Sequence, residues 1–217
     1  YMGFKIIIAS WQPEDGCQLV FPQGLVGIGG GAFRGCELPE ELVVPQGVAY
    51  IGERAFSGCA GLRRVVLPES LERLGEAAFE HCTQLEEVRL PSQLRELPVA
   101  LFQGCSSLRI GELPHDLRRI GAKAFMNCRS LECAKLPDGL ESVEERAFSG
   151  CTALEAVRFP DRLLELGSRS FFGCRALDYV LFPDEVGTLG EQVFKGCHLL
   201  NVMEAQEPLR GKLLRQG

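Results

Sequence analysis

Phenylalanine returns every 23 residues in this chain, at Phe33, Phe56, Phe79, Phe102, Phe125, Phe148, Phe171 and Phe194. Cysteine follows it three positions later each time, at Cys36, Cys59, Cys82, Cys105, Cys128, Cys151, Cys174 and Cys197. Proline keeps the same period from Pro22 through Pro45, Pro68, Pro91, Pro114, Pro137 and Pro160 to Pro183. A fixed period of this length marks a solenoid, in which each unit buries its apolar face only against its neighbours. The 217 residues therefore read as one elongated domain. Residues 1–18 are expected as an N-terminal cap, 19–205 as about eight repeats and 206–217 as a C-terminal cap.

The unit from Leu62 to Gln84 shows how one turn of the coil forms. Leu62, Val65 and Leu67 mark a short strand, with Val65 and Leu67 on one face by the period of two. Pro68 stops it, because proline cannot donate to a ladder. Leu71 and Leu74 point back to the core from an extended or turn segment. Ala78 and Phe79 are expected in a short helical turn on the opposite side. Before each ladder cysteine stands Gly35, Gly58, His81, Gly104, Asn127, Gly150, Gly173 or Gly196. These residue types tolerate positive φ, so a left-handed residue should end each turn. The slot of Gly29, Gly52, Gly75, Gly121, Gly167 and Gly190 also holds Pro98 and Glu144, so it need not be left-handed.

The series Leu67-Pro68, Leu71, Leu74-Gly75, Ala78-Phe79, Cys82, Leu85, Val88, Leu90-Pro91 resembles the BspA-type leucine-rich repeats of bacteria. The resemblance covers about eight repeats. It implies an α/β repeat fold: a right-handed leucine-rich-repeat solenoid with one short parallel strand per repeat on one face and short helical turns on the other. It also implies a surface or secreted location, a role in adhesion and protein recognition, and no catalytic residues. The cytoplasm is the alternative location, since no signal peptide is apparent and the many cysteines read as free thiols. Phe4 to Trp11 reads as the N-terminal cap, and Pro208, Leu209, Leu213 and Leu214 as a short capping helix. Gly111 replaces the usual inward valine, so a local dent is expected there.

The eight ladder cysteines share one structural slot, and stacked Cβ vectors run parallel instead of converging. Free buried thiols acting as small hydrophobes are expected, not disulfides. Zinc needs four ligands converging on a point, which a linear ladder does not offer. No metal or other cofactor is expected. Cys17 and Cys133 lie off the ladder, and Cys133 falls on an outward strand position. It reads either as a reactive thiol or as an inert surface residue.

The outward strand positions should form two columns. The central one holds Val20, Val43, Val66, Arg89, Glu112, Lys135, Arg158, Leu181 and Glu204. Beside it lie Gln18, Glu41, Arg64, Glu87, Ile110, Cys133, Ala156, Tyr179 and Val202. Solenoids use such extended repeat surfaces for binding, and Tyr and Arg dominate interface energetics. The candidate binding residues are Arg89, Glu112, Lys135, Arg158, Tyr179, Leu181 and Val202. The competing reading is that Arg89, Glu112 and Lys135 simply pair across neighbouring strands. Asp138, Asp161 and Asp184 form a third row after the prolines. There they are solvated edge charges, or a calcium or basic-partner site.

The formal net charge of −6 argues against nucleic acid. No run of about 18 apolar residues exists for a membrane span. Three scattered histidines and no Gly-rich phosphate loop argue against an enzyme. A monomeric, non-catalytic protein-binding module is expected. The alternative is a structural spacer or stalk in a larger surface protein.

Overall fold

The computed structural model describes residues 6–8, 19–205 and 211. Apart from Ile6–Ile8 and Gly211, the two segments expected as caps therefore lie outside the described residues, as does Cys17. So do the side chains of Ile6–Ile8 and of Val202 and Met203.

Fifteen short strands occur among the described residues, numbered in chain order. They are β1 (Ile6–Ile8), β2 (Leu25–Ile28), β3 (Glu41–Val43), β4 (Tyr50–Ile51), β5 (Arg64–Val66), β6 (Arg73–Leu74), β7 (Glu87–Arg89) and β8 (Glu96–Leu97). They continue as β9 (Arg119–Ile120), β10 (Ser142–Val143), β11 (Ala156–Arg158), β12 (Glu165–Leu166), β13 (Tyr179–Leu181), β14 (Thr188–Leu189) and β15 (Val202–Glu204). Every pairing is parallel, and partners such as Val43 and Val66, or Arg119 and Ser142, stand one 23-residue repeat apart. The result is a right-handed parallel solenoid of about seven turns. That hand is the one in which twisted parallel strands close their crossovers.

Two expectations need correction. The regular repeats carry two strands where one was expected. The first is the outward-facing ladder of β3, β5 and β7, then β11, β13 and β15. The second runs through β2, β4 and β6, then β8, β9, β10, β12 and β14, and it contains the Leu74 slot that read as a turn. The opposite side carries no helical turns among the described repeats. Residues 53–58 form hydrogen-bonded turns in which alternate amides serve two directions. Arg54, Phe56 and Gly58 donate to Glu76, Ala78 and Glu80 of the next coil at 2.9, 2.8 and 2.7 Å. Ala55, Ser57 and Cys59 donate three residues back within their own turn. Arg54 at φ 53° and Gly58 at φ 75° are left-handed, and two such residues in one short segment rule out a helix.

The left-handed slot before each cysteine is present as expected, including its two non-glycines, His81 at φ 59° and Asn127 at φ 62°. The Gly75 slot is not left-handed. It is glycine for another reason: a Cβ there would collide with the backbone of Gly52 and Glu53 in the coil before.

The core is one continuous column. Successive ladder phenylalanine rings stack 5.0–6.0 Å apart from Phe33 to Phe194. All nine described cysteines are free. From Cys59 to Cys174 the ladder thiols are buried, and Cys36 and Cys197 at the ends are half-buried. Burial does not leave the thiols purely apolar. Each from Cys59 onward donates to the carbonyl of the ladder phenylalanine 26 positions earlier, at 3.0–3.2 Å.

Both ladders are interrupted near the middle. The second breaks between β6 and β8. Gly75 N–H donates to Ile51 O and Gly121 N–H to Leu97 O, both at 2.8 Å. Pro98 occupies the intermediate slot and has no N–H to give Leu74. The outward ladder breaks over two full repeats, between β7 and β11, with only an isolated bridge from Cys133 to Ala156.

Candidate binding face on the broken strand ladder

The break in the outward ladder begins at Gly111. Val65, Val88, Val157 and Val180 fill the inward strand position of their repeats and are buried. Gly111 offers no side chain there, and Ile110 takes the place: it is only 7% exposed, while Gly111 is exposed. This corrects the outward placement of Ile110. An exchange of two adjacent strand residues across the sheet cannot keep the ladder in register. The next repeat has Ala134 at the same slot, too small to restore a valine contact.

Backbone hydrogen bonds record the consequence. Leu67 N–H donates to Arg89 O at 3.0 Å, and Phe159 N–H to Leu181 O at 2.9 Å. The equivalent amides of Leu90, Leu113 and Leu136 make no such bond among the described residues. Arg109 N–H still reaches Glu86 O at 2.8 Å. Beyond it, no backbone bond joins β7 to residues 110–113.

The opened face is a trough. A cavity of about 730 Å³ lies between Glu86–Leu90 and Arg109–His115. One of about 360 Å³ lies between Glu112–His115 and Lys135–Asp138. A third, of about 300 Å³, lies between Cys133–Asp138 on one side and Ala156–Arg158, Pro160 and Tyr179 on the other. Neighbouring cavities share Glu112, Leu113, His115, Lys135, Leu136 and Asp138, so the three run together.

Arg89, Glu112, Lys135 and Arg158 are all exposed along this trough, Tyr179 lines its far end half-buried, and the half-buried Leu181 pairs with Arg158 in the ladder there. Val202 pairs with Tyr179 in the ladder. Desolvation and the neighbouring Glu204 carboxylate push the Tyr179 hydroxyl pKa up. The simple pairing scheme for the charges does not appear: no ion pair joins Arg89, Glu112, Lys135 and Arg158 among the described residues. On this face the ion pairs lie toward the N-terminus. Arg64 sits between Glu41 at 3.8 Å and Glu87 at 2.6 Å, and Arg63 between Glu40 at 3.6 Å and Glu86 at 3.3 Å. Cys133 is exposed and lines the third cavity. Asp138, Asp161 and Asp184 are exposed. Among the described residues no group of three or more His, Cys, Asp or Glu is arranged to hold a metal. No described helix is long and apolar enough to cross a membrane.

The trough was only half legible in advance. Gly111 signalled a dent; the small Ala134 in the next repeat, which extends it, was the available signal that went unused.

Comparison with solved structures gives bacterial leucine-rich repeat proteins. The Treponema pallidum leucine-rich repeat protein is 27% identical, with a TM-score of 0.63 over 100% of this chain and 86% of that one. A leucine-rich repeat protein from Eubacterium ventriosum shares the fold at 23% identity and a TM-score of 0.68, over 77% of this chain. The chain spans 45% of that protein's structure. A leucine-rich cell surface protein from Faecalibacterium prausnitzii shares it at 23% identity and a TM-score of 0.58, over 89% of this chain and 66% of that one. Comparison with curated protein sequences finds no match. The family profile of the BspA type leucine-rich repeat region matches in six copies, over residues 17–132 and 118–211. The chain belongs to the BspA-type leucine-rich repeat family.

Proposed function

We propose that this chain is a non-catalytic protein-recognition module, acting as a monomer through its strand face between Arg89 and Val202. The observation that carries the reading is the trough over the broken ladder. There, charged side chains outside any ion pair among the described residues stand beside open backbone groups, next to the half-buried Tyr179 and Leu181. Tyr and Arg in such a setting are the residue types that dominate binding energy. A surface or secreted location is supported by the likeness to the Faecalibacterium cell surface protein. Nine free cysteines support the cytoplasmic alternative.

The N-terminal half of the face supports a second reading, a spacer or stalk, because Glu41, Arg64 and Glu87 satisfy one another there. Affinity capture from cell-surface and lysate fractions separates the two. A protein retained by the wild type and lost by the Tyr179→Ala/Arg158→Glu variant, with an unchanged melting temperature, is the expected result. Retention of nothing by the wild type sinks the recognition reading and leaves the spacer.

A further inference from the structure

The trough has an edge as well as a floor. β7 ends the three-stranded sheet β3-β5-β7, and the cavity of about 730 Å³ lies directly against its open side. In the regular part of the ladder, the side of a strand facing the next coil is fully engaged. Here Val88 and Leu90 make no backbone bond toward residues 110–113. An exposed strand edge with unmade N–H and C=O bonds is a template for one more strand.

The charges around that edge select the occupant. Glu86 and Glu87 are held by Arg63 and Arg64, leaving Glu112 and Asp138 as the carboxylates of the trough without ion pairs among the described residues. Against these two stand Arg89, Arg109, Lys135 and Arg158, none in an ion pair among the described residues. The three cavities are lined by four carboxylates and four cations in all, but outside ion pairs four cations stand against two carboxylates, on a chain of formal net charge −6. Complementary charge selects and orients a partner even where it adds little net affinity.

We infer that the trough receives an extended acidic peptide segment of the partner, added as a strand along the open edge of β7 with its carboxylates on Arg89 and Arg109. The inference rests on the strand-face reading above and names the chemistry that face recognises. Backbone pairing fixes the extended conformation, and the guanidinium groups, which match carboxylates in two-point contacts, fix the charge.

A random short-peptide library selected on the whole chain tests this, with affinities of recovered peptides measured by fluorescence anisotropy. Recovered sequences should be rich in Asp and Glu. They should lose more than about tenfold in affinity for Arg89→Glu/Arg109→Glu, whose circular dichroism melt should match wild type because both side chains are exposed. Methylation of alternate backbone nitrogens should weaken them comparably. Recovery of no peptide overturns the inference. So does recovery of peptides without acidic bias, or of peptides indifferent to nitrogen methylation. If that happens while a captured protein remains sensitive to Tyr179→Ala/Arg158→Glu, the wider strand-face reading stands. A captured protein indifferent to both variants overturns both.

Discussion

The Cys128 thiol lies 3.2 Å from the carbonyl oxygen of Phe102, a residue 26 positions earlier in the coil before. That same carbonyl accepts the backbone N–H of Cys105 at 3.0 Å. The phenylalanine and cysteine periods are therefore one feature. Each Phe fills the core with its ring and offers a carbonyl, and the cysteine of the next coil closes on that carbonyl from the side. A small side chain with a weak donor suits the slot, because it packs as a hydrophobe while satisfying a buried acceptor.

The slot therefore ranks substitutions. Cys128→Ala loses the weak bond and a group about the size of a methylene, costing about 1 kcal/mol. Cys128→Ser buries a hydroxyl whose shorter bond to Cβ leaves it beyond the ~2.7–2.8 Å that an O–H donor prefers. It should cost about 1–3 kcal/mol. Urea midpoints of the two variants check the order, and a serine variant more stable than the alanine variant would show that the carbonyl supplies a full-strength hydrogen bond.

Phe125 stacks on Phe102 at 5.6 Å and on Phe148 at 5.0 Å and has no solvent exposure. Phe125→Ala should cost about 3–5 kcal/mol through lost burial and the cavity left between its neighbours. Chemical denaturation measures it, and a curve superposing on wild type would contradict the stacked column.

Ser170 occupies the slot that Ala124 and Ala147 fill in the two preceding coils, and its buried hydroxyl has no hydrogen-bond partner among the described residues. An unpaired buried hydroxyl is destabilising. Ser170→Ala should raise stability by about 1 kcal/mol, seen as an upward shift of the melting temperature. A lower melting temperature would mean that the hydroxyl has a partner in solution.

Burial also sets a pH limit. It pushes the thiols of Cys59, Cys105 and Cys151 from an ordinary 9.0 up to about 12. The folded state holds these protons where the unfolded chain releases them. Their stabilising contribution is thus complete below pH 9 and is lost as pH rises toward 12. Each thiol should steepen the loss by up to about 1.4 kcal/mol per pH unit in that window. Urea unfolding at neutral pH and at about pH 10 should show a larger drop for wild type than for a Cys59→Ala/Cys105→Ala/Cys151→Ala variant. Equal drops would place the alkaline sensitivity elsewhere.

Sequence alone revealed what repeats and hid what does not. Phe, Cys and Pro recur at a period of 23, so the coil, its core column and the left-handed residue at His81 and Asn127 were all legible. The second left-handed position, at Arg54, Ala77, Lys123 and Arg146, carries ordinary residue types and gave no signal. It is also why the expected helical turn does not form. The second ladder escaped because strands of two residues, such as Arg73–Leu74, are too short for alternation to register. Its break at Pro98 could have been foreseen from proline's missing donor. On the outward face, Gly111 announced the dent, but the inward turn of Ile110 depends on which neighbour fills the vacancy, and a fixed pattern of outward columns does not contain that.

The measurement that bears most directly on the account is residue-resolved amide hydrogen exchange, on the free chain and with the protein retained in affinity capture. Amides 110–113 should exchange far faster than those of Arg64–Val66 and Tyr179–Leu181, because only the latter sit in closed ladders. The bound partner should slow exchange in the broken segment. Uniform protection along the whole strand face, or no change there on binding, would contradict the assignment of the broken ladder as the site of recognition.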